Sequence, residues 1–290
     1  MKDMLPLNQK VNQTKRHHMK RFLPAFTMLF FILFTGCKSL QDQATSMLFS
    51  PSQDKELGKQ VKTEIASKPA EYPVLSKAQY PKAYQYLNDM KNNILASGTV
   101  EFKDEFDWEL FIIQDDQTLN AFCTPGGYIY VYTGLIKYLE KADDLAGVMG
   151  HEIAHADRRH SIKQLQSQYG ISILTSIVLG ESAGDLAQIA GQLAGNGALL
   201  KFSRVHETEA DEFSVRYLSG SPYACNGAAS FFQKLLDKGQ SGSTPEFMST
   251  HPSPTNRVED INNTAKAMGC STNSISETGM TYAQFVASLP

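Results

Sequence analysis

The segment GHEIAHADRRH, at residues 150–160, places two histidines and a glutamate in a His-Glu-x-x-His pattern. On an α-helix, His151 and His155 stand four residues apart and share a face, where two imidazoles can hold one metal ion. Glu152 is offset by one residue and can take a proton from a water molecule at that ion. The spacing therefore predicts a zinc site that activates water for hydrolysis.

The residues around this motif predict a buried helix. Apart from Glu152 and the two histidines, every residue from 145 to 156 is apolar or glycine, and a helix that is apolar on all sides lies inside a protein. Asp143 and Asp144 are favoured N-cap residues, so we expect the helix to begin there. Burying ionisable side chains costs several kcal/mol unless they have partners. Zinc supplies such partners, and hydrogen bonds within the protein are the alternative.

The segment FSRVHETEADEF, at residues 202–213, offers the third protein ligand that a catalytic zinc ion requires. Glu207 and Asp211 lie one helical turn apart, so Glu207 can complete the site while Asp211 accepts the N–H of a ligand histidine and fixes its tautomer. A solvent-exposed charged helix face is the alternative. His160 and His206 fall on other helical faces, and we expect His160 at the surface or at a helix cap.

Three elements stand in order within residues 120–257: NAFCTPGGYIYVYTGL, HEIAH and ETEAD. Together they resemble peptidase family M48, the zinc peptidases grouped with the CAAX prenyl protease and the heat-shock protease HtpX. The resemblance implies one Zn²⁺ ion held by His151, His155 and Glu207. It implies further that Glu152 is the catalytic base and that Asp211 is the hydrogen-bond partner of a ligand histidine. It also implies an α+β, mainly helical zincin-type fold of the gluzincin kind, with a small β-sheet whose edge strand borders the active-site cleft.

Two strands are predicted, at Phe106–Gln114 and at Gly127–Tyr132, from their β-rich composition and the turn residues before the second. The resemblance favours the second strand as an exposed edge that pairs with an extended substrate backbone. Its substrate-facing residues would be Gly126, Gly127, Tyr128 and Ile129. A strand in the core is the alternative.

The segment THPSPTNR, at residues 250–257, matches a His-Pro…Arg segment of the periplasmic and lipoprotein members of the family. The match implies that His251 lies near the metal, where it either caps the open position in a resting state or assists the substrate. Arg257 would anchor this loop or share the charge of an oxyanion. A loop packed on the surface is the alternative.

An uncharged, mostly apolar run, FLPAFTMLFFILFT, follows the basic sequence KRHHMKR at residues 22–35. A membrane span needs about 20 residues, and this run is shorter. Its length and its basic flank are typical of a signal peptide. The sequence LFTGC then resembles a lipobox, which predicts lipidation of Cys37. We expect a signal peptide at 1–36, with Met19 as a possible true start, although an uncleaved anchor is the alternative.

The rest of the chain is predicted to form a lipidated tether at 37–52, a zinc peptidase domain at 53–270 and a C-terminal tail at 271–290. Helices are expected at Asp54–Ser67 and Pro81–Ser97, and the chain beyond Leu135 is expected to be mostly helical. Cys225 and Cys270 are the preferred disulfide pair, with Cys123 free, although spacing alone does not decide the pairing.

The net charge of −3 and the absence of a dense basic block argue against a nucleic-acid-binding protein. The resemblance implies a zinc endopeptidase that acts on unfolded or misassembled cell-envelope proteins. Its expected location is the periplasmic side of a bacterial envelope, on the outer rather than the inner membrane, with an envelope assembly machinery as a possible partner. A lipid-anchored chaperone or assembly factor with latched proteolysis, and a protein with a closed structural zinc site, are the competing hypotheses.

Overall fold

The computed structural model describes residues 49–193, 202–240, 246–252, 256–274 and 279–290. Within these ranges the helices and strands are, in chain order, α1 (Pro51–Ala66), α2 (Pro81–Leu95), β1 (Leu110–Ile113), β2 (Ala121–Thr124), β3 (Tyr128–Tyr132), α3 (Thr133–Tyr138), α4 (Ala142–Asp157), α5 (His160–Tyr169), α6 (Ile171–Val178), α7 (Ala183–Leu193), α8 (Arg204–Ser219), α9 (Gly227–Gln240), α10 (Glu246–Thr250), α11 (Arg257–Met268) and α12 (Tyr282–Val286).

Helix α4 lies at the centre of the fold because its sequence leaves no solvent-facing side. All of its residues are buried, and it packs against α8, α9 and strand β2. Gly147 allows α9 to approach closely, since a Cβ atom there would lie 2.1 Å from the Ala228 nitrogen. The His-Glu-x-x-His motif is therefore held in the core by packing on several sides.

The expected N-cap of α4 is wrong. The helix begins at Ala142, and Lys141 at the cap position makes no side-chain capping bond. Asp143 instead accepts the Ala224 N–H at 2.8 Å, and Asp144 forms an ion pair with Lys234 at 3.1 Å. Both carboxylates are used for tertiary contacts, Asp143 with the segment that leads into α9 and Asp144 with α9 itself. They still lie in the first turn of α4, where the helix dipole favours negative charge.

The sheet is small and mixed, with strand order β1-β3-β2. β1 is parallel to β3, with Leu110 opposite Ile129, and β2 is antiparallel to β3, with Phe122 opposite Tyr130. β1 is shorter than the predicted strand because Trp108 has a φ of 46°, in the left-handed region, which ends the extended backbone. The α+β class and the mainly helical content are confirmed.

The prediction that Gly126, Gly127, Tyr128 and Ile129 form an exposed, substrate-pairing edge is wrong. Tyr128 and Ile129 begin the central strand β3, which is bonded on both sides and buried along its whole length. The two glycines form the turn from β2, with φ values of 78° and 86° that favour glycine. The strand that lies at an edge of the sheet and packs against α4 is β2.

The C-terminal region belongs to the same core. Helix α12 buries Tyr282 and Phe285, and the Phe285 ring stacks on Tyr86 with ring centroids 4.4 Å apart. Part of the segment 271–290, which the sequence analysis sets apart as a tail, therefore packs against the domain. Cys225 and Cys270 form a disulfide, and Cys123 is a buried free thiol.

No helix in the described ranges is long and apolar enough to cross a membrane. The N-terminal apolar run and Cys37 lie outside the described residues, as does most of the proposed tether.

Candidate metal centre

Four side chains converge in the core between α4, α8 and the end of α10. His151 and His155 come from α4, Glu207 comes from α8, and His251 follows α10. All four are buried, and one donor atom of each lies within 4.8 Å of the others. Nε2 of His151 and Nε2 of His155 are 3.0 Å apart, and Nδ1 of His251 is 3.0 Å from Oε1 of Glu207.

These donor atoms fit one zinc ion. A tetrahedral Zn²⁺ with ligand bonds of about 2.0–2.1 Å separates its ligand atoms by about 3.3 Å. Two further separations are close to that value, with 3.4 Å between Nε2 of His155 and Oε1 of Glu207, and 3.4 Å between Nε2 of His151 and Nδ1 of His251. Three imidazoles with one carboxylate is also a donor set that zinc prefers.

Charge in the cluster favours a bound cation. Burial acts to lower the pKa of His151, but its bonds to Asp211 and Glu207 outweigh that effect and raise the pKa to about 9. Burial also opposes ionisation of Glu207, yet the neighbouring His251 and His151 hold its pKa well below the usual range. The carboxylates thus stabilise a positive charge at His151, whereas burial holds the pKa of His155 well below its usual range.

Glu152 lies beside the donors and has no hydrogen-bond partner for one oxygen. Its Oε1 accepts no bond within the described residues, and the nearest histidine nitrogen, Nε2 of His251, is 3.6 Å away. Burial raises the pKa of Glu152, and the Glu152 charge adds to burial in raising the pKa of the Cys123 thiol on β2. The carboxylate is therefore a proton acceptor of increased basicity, close to the edge strand.

A carboxylate and an arginine support His151 from behind. Nδ1 of His151 is 2.9 Å from Oδ1 of Asp211, and Arg257 donates to both Asp211 oxygens at 2.7 and 2.8 Å. Arg257 also reaches Glu207 at 3.0 Å, and its guanidinium lies 3.4 Å from the Phe232 ring centroid. Asp211 therefore occupies the position predicted for it, and Arg257 contacts both α8 carboxylates and lies 3.2 Å from Nε2 of His151.

A different group supports His155. His160 is fully buried, with its Nδ1 3.0 Å from Nδ1 of His155 and its Nε2 3.2 Å from Oε2 of Glu209. Arg158 then donates to Glu209 at 3.1 Å and to Glu101 at 2.8 Å. The expectation that His160 lies at the surface is wrong.

The physical reason is a change in chain direction before His160. Helix α4 ends at Asp157, and Arg159 has a φ of 57°, so α5 starts again at His160 along a new axis. Helical spacing counted from His151 does not continue across that break. One feature of the sequence could have indicated the buried His160. Each of the two segments that carry metal ligands also carries a further side chain able to form a hydrogen bond, His160 in one and Glu209 in the other.

His251 enters the cluster on a short segment. The His251 ring stacks on Phe247 with centroids 4.2 Å apart, and its backbone N–H donates to the Phe247 carbonyl at 2.8 Å. The Phe247 N–H in turn donates to the Leu119 carbonyl at 3.2 Å, just before β2. This segment, residues 246–252, is therefore hydrogen-bonded to the residues just before the edge strand β2. It places a fourth donor at the metal position.

The domain is mainly helical and of the α+β class. Two histidines of a His-Glu-x-x-His helix and a glutamate from a second helix surround one metal position, which is the arrangement that defines a zincin of the gluzincin type. Peptidase family M48 matches residues 81–265, which is well over half of the chain. The chain belongs to that family.

Relatives with assigned names agree with this classification. The chain is 35% identical over 174 residues to the mitochondrial metalloendopeptidase OMA1 of Schizosaccharomyces pombe, a match that covers 59% of this chain and 50% of the relative. It is 31% identical over 199 residues to the beta-barrel assembly-enhancing protease of Yersinia pestis, covering 65% of this chain and 40% of the relative. It is 29% identical over 149 residues to the metalloprotease YcaL of Escherichia coli, covering 49% and 57%. The chain thus matches about half the length of these relatives.

Proposed function

We propose that the protein is a zinc-dependent endopeptidase that hydrolyses internal peptide bonds. The observation that carries this proposal is the buried Glu152 beside the His151, His155 and Glu207 donors, with one carboxylate oxygen unpaired. Zinc at these donors would act as a Lewis acid toward a carbonyl and toward water. The names of the relatives support the same reaction class.

Glu152 would move the proton in this reaction. Its raised pKa makes the carboxylate a better acceptor for a proton of the attacking water, and the same oxygen then returns that proton to the leaving amine nitrogen. Water is the nucleophile, so no covalent bond between enzyme and substrate is needed. Asp211 and Arg257 hold His151 and Glu207 in position during these transfers.

The substrate would be extended polypeptide that lies along β2. An edge strand can bind backbone through main-chain hydrogen bonds, and β2, although its residues are buried in this form, lies at an edge and packs against the helix of the catalytic base. Only unfolded or misassembled proteins expose such segments. Cell-envelope proteins are the proposed substrates because of the lipobox-like Cys37 and because one relative is named for β-barrel assembly.

We also propose the cellular setting from the N-terminal sequence. A signal peptide at 1–36 and a lipid on Cys37 would hold the domain on the periplasmic side of a bacterial envelope, in the outer membrane, near an assembly machinery. Mass spectrometry of the mature N-terminus tests this directly. A diacylated or triacylated Cys37 is expected, and an intact Met1 or Met19 would contradict it.

The position of His251 supports a second candidate function, in which His251 closes the metal site and so prevents proteolysis, as a latch would. With His251 in place, four protein donors surround the metal position, whereas a catalytic zinc site keeps one position open. Segment 246–252 would have to withdraw before a water molecule can bind at the metal position. In that resting form the protein would bind unfolded chains without cutting them.

The test is turnover of casein by the purified protein, with bound zinc measured in every sample. Wild type is expected to cleave, and Glu152→Gln is expected to lose activity by at least about 100-fold with zinc retained. The matched control is Glu105→Gln, the same change at an exposed site, which should keep full activity. Equal activity of Glu152→Gln and wild type would refute the peptidase proposal.

The latch is tested separately with His251→Ala. If His251 restrains the site, this variant cleaves casein faster than wild type while it still binds zinc. If His251 assists the substrate, the variant is slower at unchanged zinc content.

A further inference from the structure

We propose that His160 is a positioning residue for the metal ligand His155, and that it acts as the central member of a chain of hydrogen bonds that ends on Glu209. This role goes beyond the ligands, the base and the Asp211 partner. It concerns metal binding alone, so it does not depend on which substrate the protein cleaves.

The chain of hydrogen bonds begins at the proton on His155. Nε2 of His155 faces the other donors, at 3.0 Å from Nε2 of His151 and 3.4 Å from Oε1 of Glu207. A histidine that binds a metal through Nε2 carries its hydrogen on Nδ1, and that N–H needs an acceptor when it is buried. Among the described residues, the polar atom at hydrogen-bond distance from this Nδ1 is Nδ1 of His160, at 3.0 Å.

The contact with His155 also fixes the tautomer of His160. Because Nδ1 of His160 must accept the proton of His155, its own hydrogen sits on Nε2, where it points at Oε2 of Glu209 at 3.2 Å. Only the neutral Nε2–H form of His160 satisfies both contacts when His155 holds a metal. The chain therefore runs from His155 to His160 to Glu209, with each member donating to the next.

Packing and an ion pair hold this chain of hydrogen bonds rigid. His160 is fully buried, and its ring stacks on His206 at 4.5 Å between centroids and 12° between planes. Glu209 is fixed by Arg158, which donates to it at 3.1 Å. A carboxylate at the end of the chain polarises both imidazoles and makes Nε2 of His155 a stronger donor to a metal ion.

The test compares zinc affinity among four forms of the full protein by competition with a chromophoric chelator. His160→Leu keeps a similar volume but offers no acceptor, and it should weaken zinc binding by roughly 10- to 100-fold. His160→Asn places an amide oxygen near the position of Nδ1 without reaching Glu209, so its affinity should fall between wild type and His160→Leu. The control Glu212→Gln changes an exposed carboxylate of α8, the helix of Glu209, which pairs with Arg216, so its affinity should match wild type.

A spectroscopic measurement separates positioning from a purely structural role. In ¹⁵N-labelled, zinc-loaded protein, Nδ1 of His155 should show a protonated nitrogen with a slowly exchanging, downfield proton that is lost in His160→Leu and retained in His160→Asn. Thermal unfolding of the metal-free variants shows whether they are folded, and Glu209→Gln, which weakens only the last link, replaces any variant that is not.

Wild-type zinc affinity in a folded His160→Leu protein would overturn the inference, and so would an unchanged His155 signal. Neither result depends on peptidase activity. A protein that binds zinc as expected but never cleaves casein would refute the proposed function and leave this inference standing.

Discussion

The two ligand histidines of α4 are one turn apart, yet they are supported in different ways. Behind His151, the Asp211 carboxylate is held by Arg257, whose side chain is fully buried. Behind His155, a second histidine relays to Glu209 and Arg158, and the Glu101 side chain at the end of this network is 59% exposed. The first support is a closed ion pair in the core, and the second leads from the core to solvent.

This difference assigns distinct roles to the two sides. The Asp211–Arg257 pair also reaches Glu207, so it fixes one ligand on each of the two metal-binding helices. Among the described residues, the His160 chain is hydrogen-bonded to one metal ligand, His155, and its ion pair is more exposed to water than the Asp211–Arg257 pair, so we expect it to contribute less. We therefore expect the His151 side to dominate the stability of the fold and the His155 side to act mainly on the metal.

The largest effect is expected for Asp211→Asn. This change leaves the buried Arg257 with one carboxylate fewer, and breaking a buried pair costs about 3–5 kcal/mol in free energy of unfolding. Zinc affinity should fall by roughly 10- to 100-fold as well, since a neutral amide oxygen replaces the charged carboxylate that accepts from His151. Urea unfolding of the metal-free protein and chelator competition measure the two quantities.

The control for that variant is Glu212→Gln on the same helix, where Glu212 forms an exposed ion pair with Arg216. It should change the free energy of unfolding by less than about 0.5 kcal/mol. If the two variants are equally stable, the asymmetry between the two sides is not real.

An intermediate effect is expected from pH on the His155 side. Burial lowers the pKa of His160 from 6.5 to about 4. The folded protein therefore binds fewer protons than the unfolded chain between these values, so this contribution to stability is complete above pH 6.5 and is lost as the pH falls toward 4. Urea unfolding of the metal-free protein should show that His160→Asn loses less stability than wild type between about pH 7 and 5. Identical losses would count against a neutral, buried His160.

The smallest effect on stability is expected for Glu209→Gln. Glu209 is partly exposed, and its ion pair with Arg158 is more accessible to water than the buried pair of Asp211 and Arg257, so it should contribute less to stability. Its free energy of unfolding should thus change far less than that of Asp211→Asn, although the amide weakens the last link behind His155. A loss as large as that of Asp211→Asn would show that both sides carry the fold equally.

Sequence patterns predicted what depends on local spacing. The i and i+4 positions in α4, and the Glu207 and Asp211 pair in α8, follow from helical geometry alone, and the structure brings all four together. The family, the α+β class and the zinc ion are confirmed for the same reason, since the motifs that indicate them are short and contiguous.

The features that sequence reasoning missed depend on tertiary contacts. β3 is central because β1, from earlier in the chain, pairs with its second side, and the sequence of β3 does not reveal that neighbour. His160 is buried because the backbone turns at Arg159, where the left-handed conformation interrupts helical counting. Asp143 and Asp144 do not cap α4 because groups near and in α9 use their carboxylates.

The most direct test of the account is the structure of the zinc-loaded protein, with the metal located by anomalous scattering at the zinc edge. We predict one zinc ion bound by Nε2 of His151, Nε2 of His155 and Oε1 of Glu207. Nδ1 of His151 should then remain bonded to Asp211, and Nδ1 of His155 to His160. Zinc at another place, or bound by His160 in place of His155, would contradict the account.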